Sequence, residues 1–83
     1  MKILYFARLR QVIGRGQEDI EVPADVKTVS ALIDYLKSRD ENIAAAFSDL
    51  RTLKVAINQS HASLDASLAD ATEVAFFPPV TGG

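Results

Sequence analysis

The pattern with the plainest chemical use lies at the carboxy-terminal end, Pro78-Pro79-Val80-Thr81-Gly82-Gly83. Neither proline can donate to a β ladder, so the pair ends any strand before it and favours extended polyproline II geometry. At ~3.1 Å per residue the segment reaches roughly 18 Å from the body, enough to thread a channel in another protein. Gly82 and Gly83 carry no side-chain bulk, so a chain end there fits a slot too narrow for any Cβ. What enters is a carboxylate. It is a poor acyl donor at neutral pH, because its charge repels nucleophiles and its leaving group would be oxide. Conversion to an acyl-adenylate with ATP supplies a leaving group, and a sulfur or nitrogen nucleophile then captures the acyl carbon. Chain ends are often frayed and glycine-rich, but a stiff diprolyl spacer directly before Gly-Gly is poorly explained as fraying.

The rest of the chain offers little competing chemistry. Its 83 residues include no cysteine and one histidine, so there is no disulfide, no thiolate metal site and no evident converging set of acid, base and nucleophile. A formal charge of −2 argues against binding a nucleic-acid backbone. Apolar stretches such as Ile3–Ala7 and Val74–Phe77 fall far short of the ~18–20 residues of a spanning helix, and Met1-Lys2 enters one of them without a signal-peptide layout. The expectation is a cytoplasmic chain with no membrane partner. Charge is unevenly spread: Lys2, Arg8, Arg10 and Arg15 load the start, whereas from Val55 onward only Asp65, Asp70 and Glu73 are charged. A solvated surface and a charge-steered partner contact both fit that skew.

Elements must position the tail. Ile3, Leu4, Tyr5 and Phe6 run consecutively, as in a strand covered on both faces, which belongs at the centre of a sheet. Arg8–Ile13 has room for one or two helical turns closed by Gly14-Arg15-Gly16, a turn rather than a dinucleotide loop, since the third glycine is missing. Glu18–Val22 alternates as a half-buried strand stopped by Pro23. Thr28 then caps a helix whose Val29, Leu32, Ile33 and Leu36 form one stripe. Ile43, Phe47 and Leu50 continue with helical spacing. Leu53–Ile57 alternates as a strand that breaks at Asn58-Gln59-Ser60, Leu64 and Leu68 anchor an irregular piece, and Glu73–Phe77 is a last apolar strand. One amphipathic helix between apolar strands implies an α+β domain, with a mixed sheet and the main helix packed on one face. Parallel pairing of the first and last strands would send the tail out of the middle of the sheet. That topology resembles the ubiquitin-like β-grasp, with residues 1–77 as the domain and 78–83 as the tail.

Val74-Ala75-Phe76-Phe77-Pro78-Pro79-Val80-Thr81-Gly82-Gly83 resembles the terminal signature of the sulfur-carrying small subunits of molybdopterin synthase, a ubiquitin-like sulfur-carrier family. Supporting similarity spans the chain, in Ile3-Leu4-Tyr5-Phe6-Ala7 with Arg8 and Arg10, in Thr28-Val29, and in Ala56-Ile57-Asn58-Gln59. The resemblance implies that a partner like the ubiquitin-activating enzymes adenylylates the Gly83 carboxylate, which a sulfur donor protein then converts to a thiocarboxylate. The tail would enter a large catalytic subunit, in a heterotetramer of two small and two large subunits, and give its sulfur to cyclic pyranopterin monophosphate. The chain would not be catalytic alone and would bind no cofactor, ATP being used by the activating partner.

Position by position, the resemblance makes Gly83 the sulfur-bearing residue and Gly82 its steric companion, with Pro78, Pro79, Val80 and Thr81 as the inserted tail. Phe6 and Phe77 match apolar partner-facing positions, although spacing alone fits core packing equally well. Arg10 matches a position near the activating partner, with a solvated arginine as the equal alternative. His61 stands where relatives carry an apolar contact residue, and its place after a turn makes it a surface loop histidine. Carriers for thiamine or tRNA thiolation, and a ubiquitin-like interaction module or protein modifier, are the competing readings.

Overall fold

Strand β1 (Lys2–Tyr5) alternates exposed Lys2 with buried Ile3 and Tyr5 in a computed structural model that describes residues 1–48 and 53–78. The chain then forms α1 (Arg8–Ile13), β2 (Gln17–Asp19), α2 (Val29–Arg39), α3 (Glu41–Ala46), β3 (Lys54–Ile57), β4 (Ser60–Ala62) and β5 (Glu73–Phe77). The strands join in one sheet of order β2-β1-β5-β3-β4. β5 is its centre, parallel to β1 and antiparallel to β3. This is the β-grasp arrangement, a mixed sheet with helices on one face, as the order of apolar segments predicts.

α2 lays Val29, Leu32, Ile33 and Leu36, all fully buried, on that sheet. Each such side chain contributes about 1.5–3 kcal/mol through burial. Thr28 opens the helix, its Oγ1 accepting the Ala31 amide at 3.2 Å. Two further amides of the first turn, from Val29 and Ser30, donate to the carbonyls of Ala66 and Leu64 at 3.0 and 2.8 Å. The irregular segment between β4 and β5 is therefore fixed by what the helix start requires. Asp40 closes α2 and opens α3, where its side chain accepts the Asn42 amide at 2.8 Å. Phe47, just past α3, packs its ring 5.0 Å from that of Phe76, with Tyr5 6.3 Å from both.

Three boundaries differ from the sequence reading. β2 is shorter than Glu18–Val22: the Ile20 amide still donates to the Met1 carbonyl at 2.9 Å, but the chain then leaves the sheet and turns at Pro23, whose carbonyl accepts the Val26 amide. β3 begins at Lys54 rather than Leu53. The stretch after Asn58-Gln59 pairs with β3 as β4, so His61 is a strand residue and not a loop histidine. Asn58 and Gln59 take φ of 49° and 72°, the left-handed pair of a tight hairpin turn. Without a glycine there, the hairpin lacks its strongest sequence signal. Leu50, expected to extend the helical spacing beyond Phe47, lies outside the described residues.

Candidate functional site: the open sheet face and the tail exit

Cross-strand register sorts the sheet into two faces. Ile3, Tyr5, Val55, Val74 and Phe76 point toward α2 and form the core. Their neighbours face the other way. One open row runs Gln17, Leu4, Ala75, Ala56 and His61 across all five strands. The next row sets Lys54 opposite Phe77. The Phe6 amide donates to the Phe76 carbonyl at 3.1 Å, which extends the parallel ladder by one residue and brings Phe6 beside Phe77. The following rung would need an amide hydrogen on residue 78, and proline has none. The ladder therefore ends at Pro78, in mid-sheet, and the chain leaves between the end of β1 and the start of β3.

That exit sets both phenylalanines apart from the core. Phe6 is 47% exposed, and Phe77 is half-buried on the open face, so neither belongs to the core beneath α2. Phe77 meets the His61 ring nearly edge-on, with centroids 5.7 Å apart and planes at 75°. Arg10 is exposed on α1 and lies over Gly16, where a Cβ would come within 3.0 Å of its Nε. It borders two shallow depressions, one of about 610 Å³ lined by Ala7, Gln11, Gly14 and Arg15 among others, and one of about 370 Å³ beside Leu4 and Phe6. The structure thus gathers Phe6, Arg10, Phe77 and Pro78 around one exit. Pro79, Val80, Thr81, Gly82 and Gly83 lie outside the described residues.

Lys54 and His61 are members of this face that the sequence reading missed as a pair. Alternation carried through the β3–β4 hairpin would have found them.

Elsewhere the polar groups support the fold. The Tyr5 hydroxyl donates to Glu18 Oε2 at 2.6 Å, and Arg15 bridges Glu18 at 2.9 Å and Asp40 at 3.1 Å. Burial, then the Glu18 bond and charge, push the Tyr5 phenol far above its usual range, so it stays a neutral donor. Asp40 is held below the usual carboxylate range, chiefly by the Asn42 amide and next by Arg15. Among the described residues no three His, Cys, Asp or Glu side chains come together as a metal site, and no helix is long and apolar enough to cross a membrane.

A protein-family model described as the ThiS family matches residues 3–83, nearly the whole chain. The chain belongs to the ThiS family. Among relatives of this ThiS-family protein, the molybdopterin synthase sulfur carrier subunit of Escherichia coli K12 is 43% identical over 83 residues, covering 100% of this chain and 99% of the relative. The Haemophilus influenzae protein of the same name is 36% identical over 83 residues, again covering 100% and 99%. Among solved structures, small archaeal modifier protein 1 of Haloferax volcanii superposes with a TM-score of 0.76 at 28% identity over 95% of each chain.

Proposed function

We propose that this ThiS-family protein is a sulfur carrier of molybdenum cofactor biosynthesis, acting in the cytoplasm as the small subunit of molybdopterin synthase. The observation that carries the reading is full-length similarity to relatives of that name, through the Phe77–Gly83 segment. The Gly83 carboxylate attacks the α-phosphorus of ATP on an adenylylating partner, releasing pyrophosphate. A sulfide-level sulfur nucleophile delivered by a donor protein then attacks the acyl carbon, displacing AMP and leaving a thiocarboxylate. The tail, Pro78 to Gly83, enters the large subunit, where sulfur passes to cyclic pyranopterin monophosphate and water, cleaving the acyl–sulfur bond, returns the Gly83 carboxylate. The domain contributes the exit: a central strand aimed outward, a ladder stopped by Pro78, and a face around Phe6, Phe77 and Arg10 on which partners sit. It binds no cofactor of its own, and two small and two large subunits form the working complex.

Incubation with ATP, the cognate activating enzyme and a sulfur source should raise the intact mass by the sulfur-for-oxygen difference, localised to Gly83. An unchanged mass with competent partners rejects the proposal. A second reading, conjugation to lysines as a protein modifier, draws on the likeness to small archaeal modifier protein 1. It predicts isopeptide-linked adducts through Gly83 and no rescue of a strain lacking its molybdopterin sulfur carrier. Rescue of that strain, but not of one lacking its thiazole or tRNA-thiolation carrier, selects the first reading.

A further inference from the structure

We propose that His61, together with Lys54, makes the open sheet face selective for a large-subunit surface that places a carboxylate opposite the imidazole, so that association strengthens as His61 takes up a proton. This rests on the carrier reading above and concerns how the partner is chosen.

The face is apolar along its middle, with Leu4, Ala75 and Ala56 in one row, and it ends on Phe77 where the tail departs. At that end stand two cationic or potentially cationic groups. Lys54 is directly opposite Phe77 in register, and His61 on β4 sets its ring against the Phe77 ring at 5.7 Å. The other charges on this face are remote: Lys2 pairs in register with Glu73 on β5 and with Asp19 on β2, at the far end of the strands. No carboxylate on the open face of the described strands accompanies Lys54 and His61 at the exit end. Arg10, across Phe6, adds positive charge on the other side.

A partner that covers Phe77 also covers the neighbouring imidazole. A covered imidazole leaves an N–H that needs an acceptor, and an apolar partner surface supplies none. Lys54 can keep its ammonium at the rim while its stem covers apolar surface. A partner carboxylate answers both groups, accepting from the imidazole and countering Lys54. Histidine is the side chain whose charge ordinarily changes between pH 5 and 8. A bound carboxylate favours the protonated form, so the linkage sign is fixed. Affinity is greatest at the acid end of that range and falls as pH rises and the bound imidazole loses its proton.

The test measures the affinity of the full chain for its cognate large subunit from about pH 6 to about pH 8, beside His61→Leu and His61→Gln, with folding checked by circular dichroism. Comparison with the variants at each pH removes titrations that belong to the large subunit. Expected is a wild-type advantage over both variants of about five- to tenfold at the acid end, shrinking toward parity at the alkaline end. Lys54→Ala should weaken binding across the range while keeping the His61-dependent slope. A ratio of variant to wild-type affinity that does not move with pH overturns the proposal, as does one that moves the opposite way. A folded wild-type chain that binds the large subunit at no pH overturns the carrier reading and this inference with it.

Discussion

The Tyr5 hydroxyl donates to Glu18 Oε2 at 2.6 Å, from a side chain only 1% exposed, and this bond ties the edge strand β2 to the aromatic centre of the core. Burial and Glu18 both raise the phenol's pKa, so the folded protein holds it neutral while an unfolded chain ionises near the ordinary tyrosine value of about 10. The stability from this group is therefore complete below that value and declines as pH rises above it. Tyr5→Phe should cost about 1 kcal/mol near neutrality. It should also flatten the alkaline fall in denaturation midpoint, which urea titrations from neutral to strongly alkaline pH would show.

Asp40 has the opposite sign. Its folded pKa lies below the usual carboxylate value, through the Asn42 amide first and Arg15 after it. Its contribution is present above the ordinary value of about 4 and is lost as pH falls through the lower folded value. Asp40→Asn keeps a capping oxygen but removes the charge facing Arg15. The variant should unfold at a lower denaturant concentration than wild type at neutral pH, with the gap closing in acid.

Ala7 adopts φ 54°, ψ −129° between β1 and α1, a conformation that favours glycine. It is where the chain turns from Phe6 into the helix carrying Arg10. Ala7→Gly relieves strain of about 1–3 kcal/mol, offset in part by the roughly 0.5–1 kcal/mol entropic cost of glycine. A modest rise in thermal midpoint is expected, and a fall would show that the alanine conformation is unstrained.

Asn58 joins the β3–β4 turn to the start of β5. Its Oδ1 accepts from the Thr72 amide at 2.9 Å, the Thr72 hydroxyl at 3.1 Å and the Glu73 amide at 3.1 Å, while Nδ2 donates to the Asp70 carbonyl at 3.0 Å. Asn58→Ala loses these bonds and places alanine at a positive φ, for a cost of about 2–3 kcal/mol. Asn58→Gly loses the bonds alone, so it should be the milder change in equilibrium unfolding.

Gly82→Val should abolish sulfur transfer to the pterin while leaving the thermal midpoint within about two degrees, because the last strand of the sheet already ends at Phe77. Single-turnover assays with thiocarboxylated protein measure this directly. Full activity would remove the argument that the tail tip must be free of side chains.

Local patterns sufficed for the elements whose physics is local. The α2 stripe follows from 3.6-residue periodicity with a threonine cap, and the end of β5 follows from two residues that cannot serve a ladder. Which face Phe6 and Phe77 occupy was undecidable from spacing, because Phe76 and Phe77 are adjacent and alternation alone does not say which one the helix covers. The register of β5 against β1 and β3 decided it, putting Phe76 under α2 and Phe77 on the open face. His61 needed more still: a glycine-free hairpin turn had to fold β4 back onto β3 before the imidazole could meet Phe77. Sequence by itself determined the α2 helix and the end of β5; only cross-strand pairing, a relation between distant residues, decided which side chains surround the point where the chain leaves the sheet.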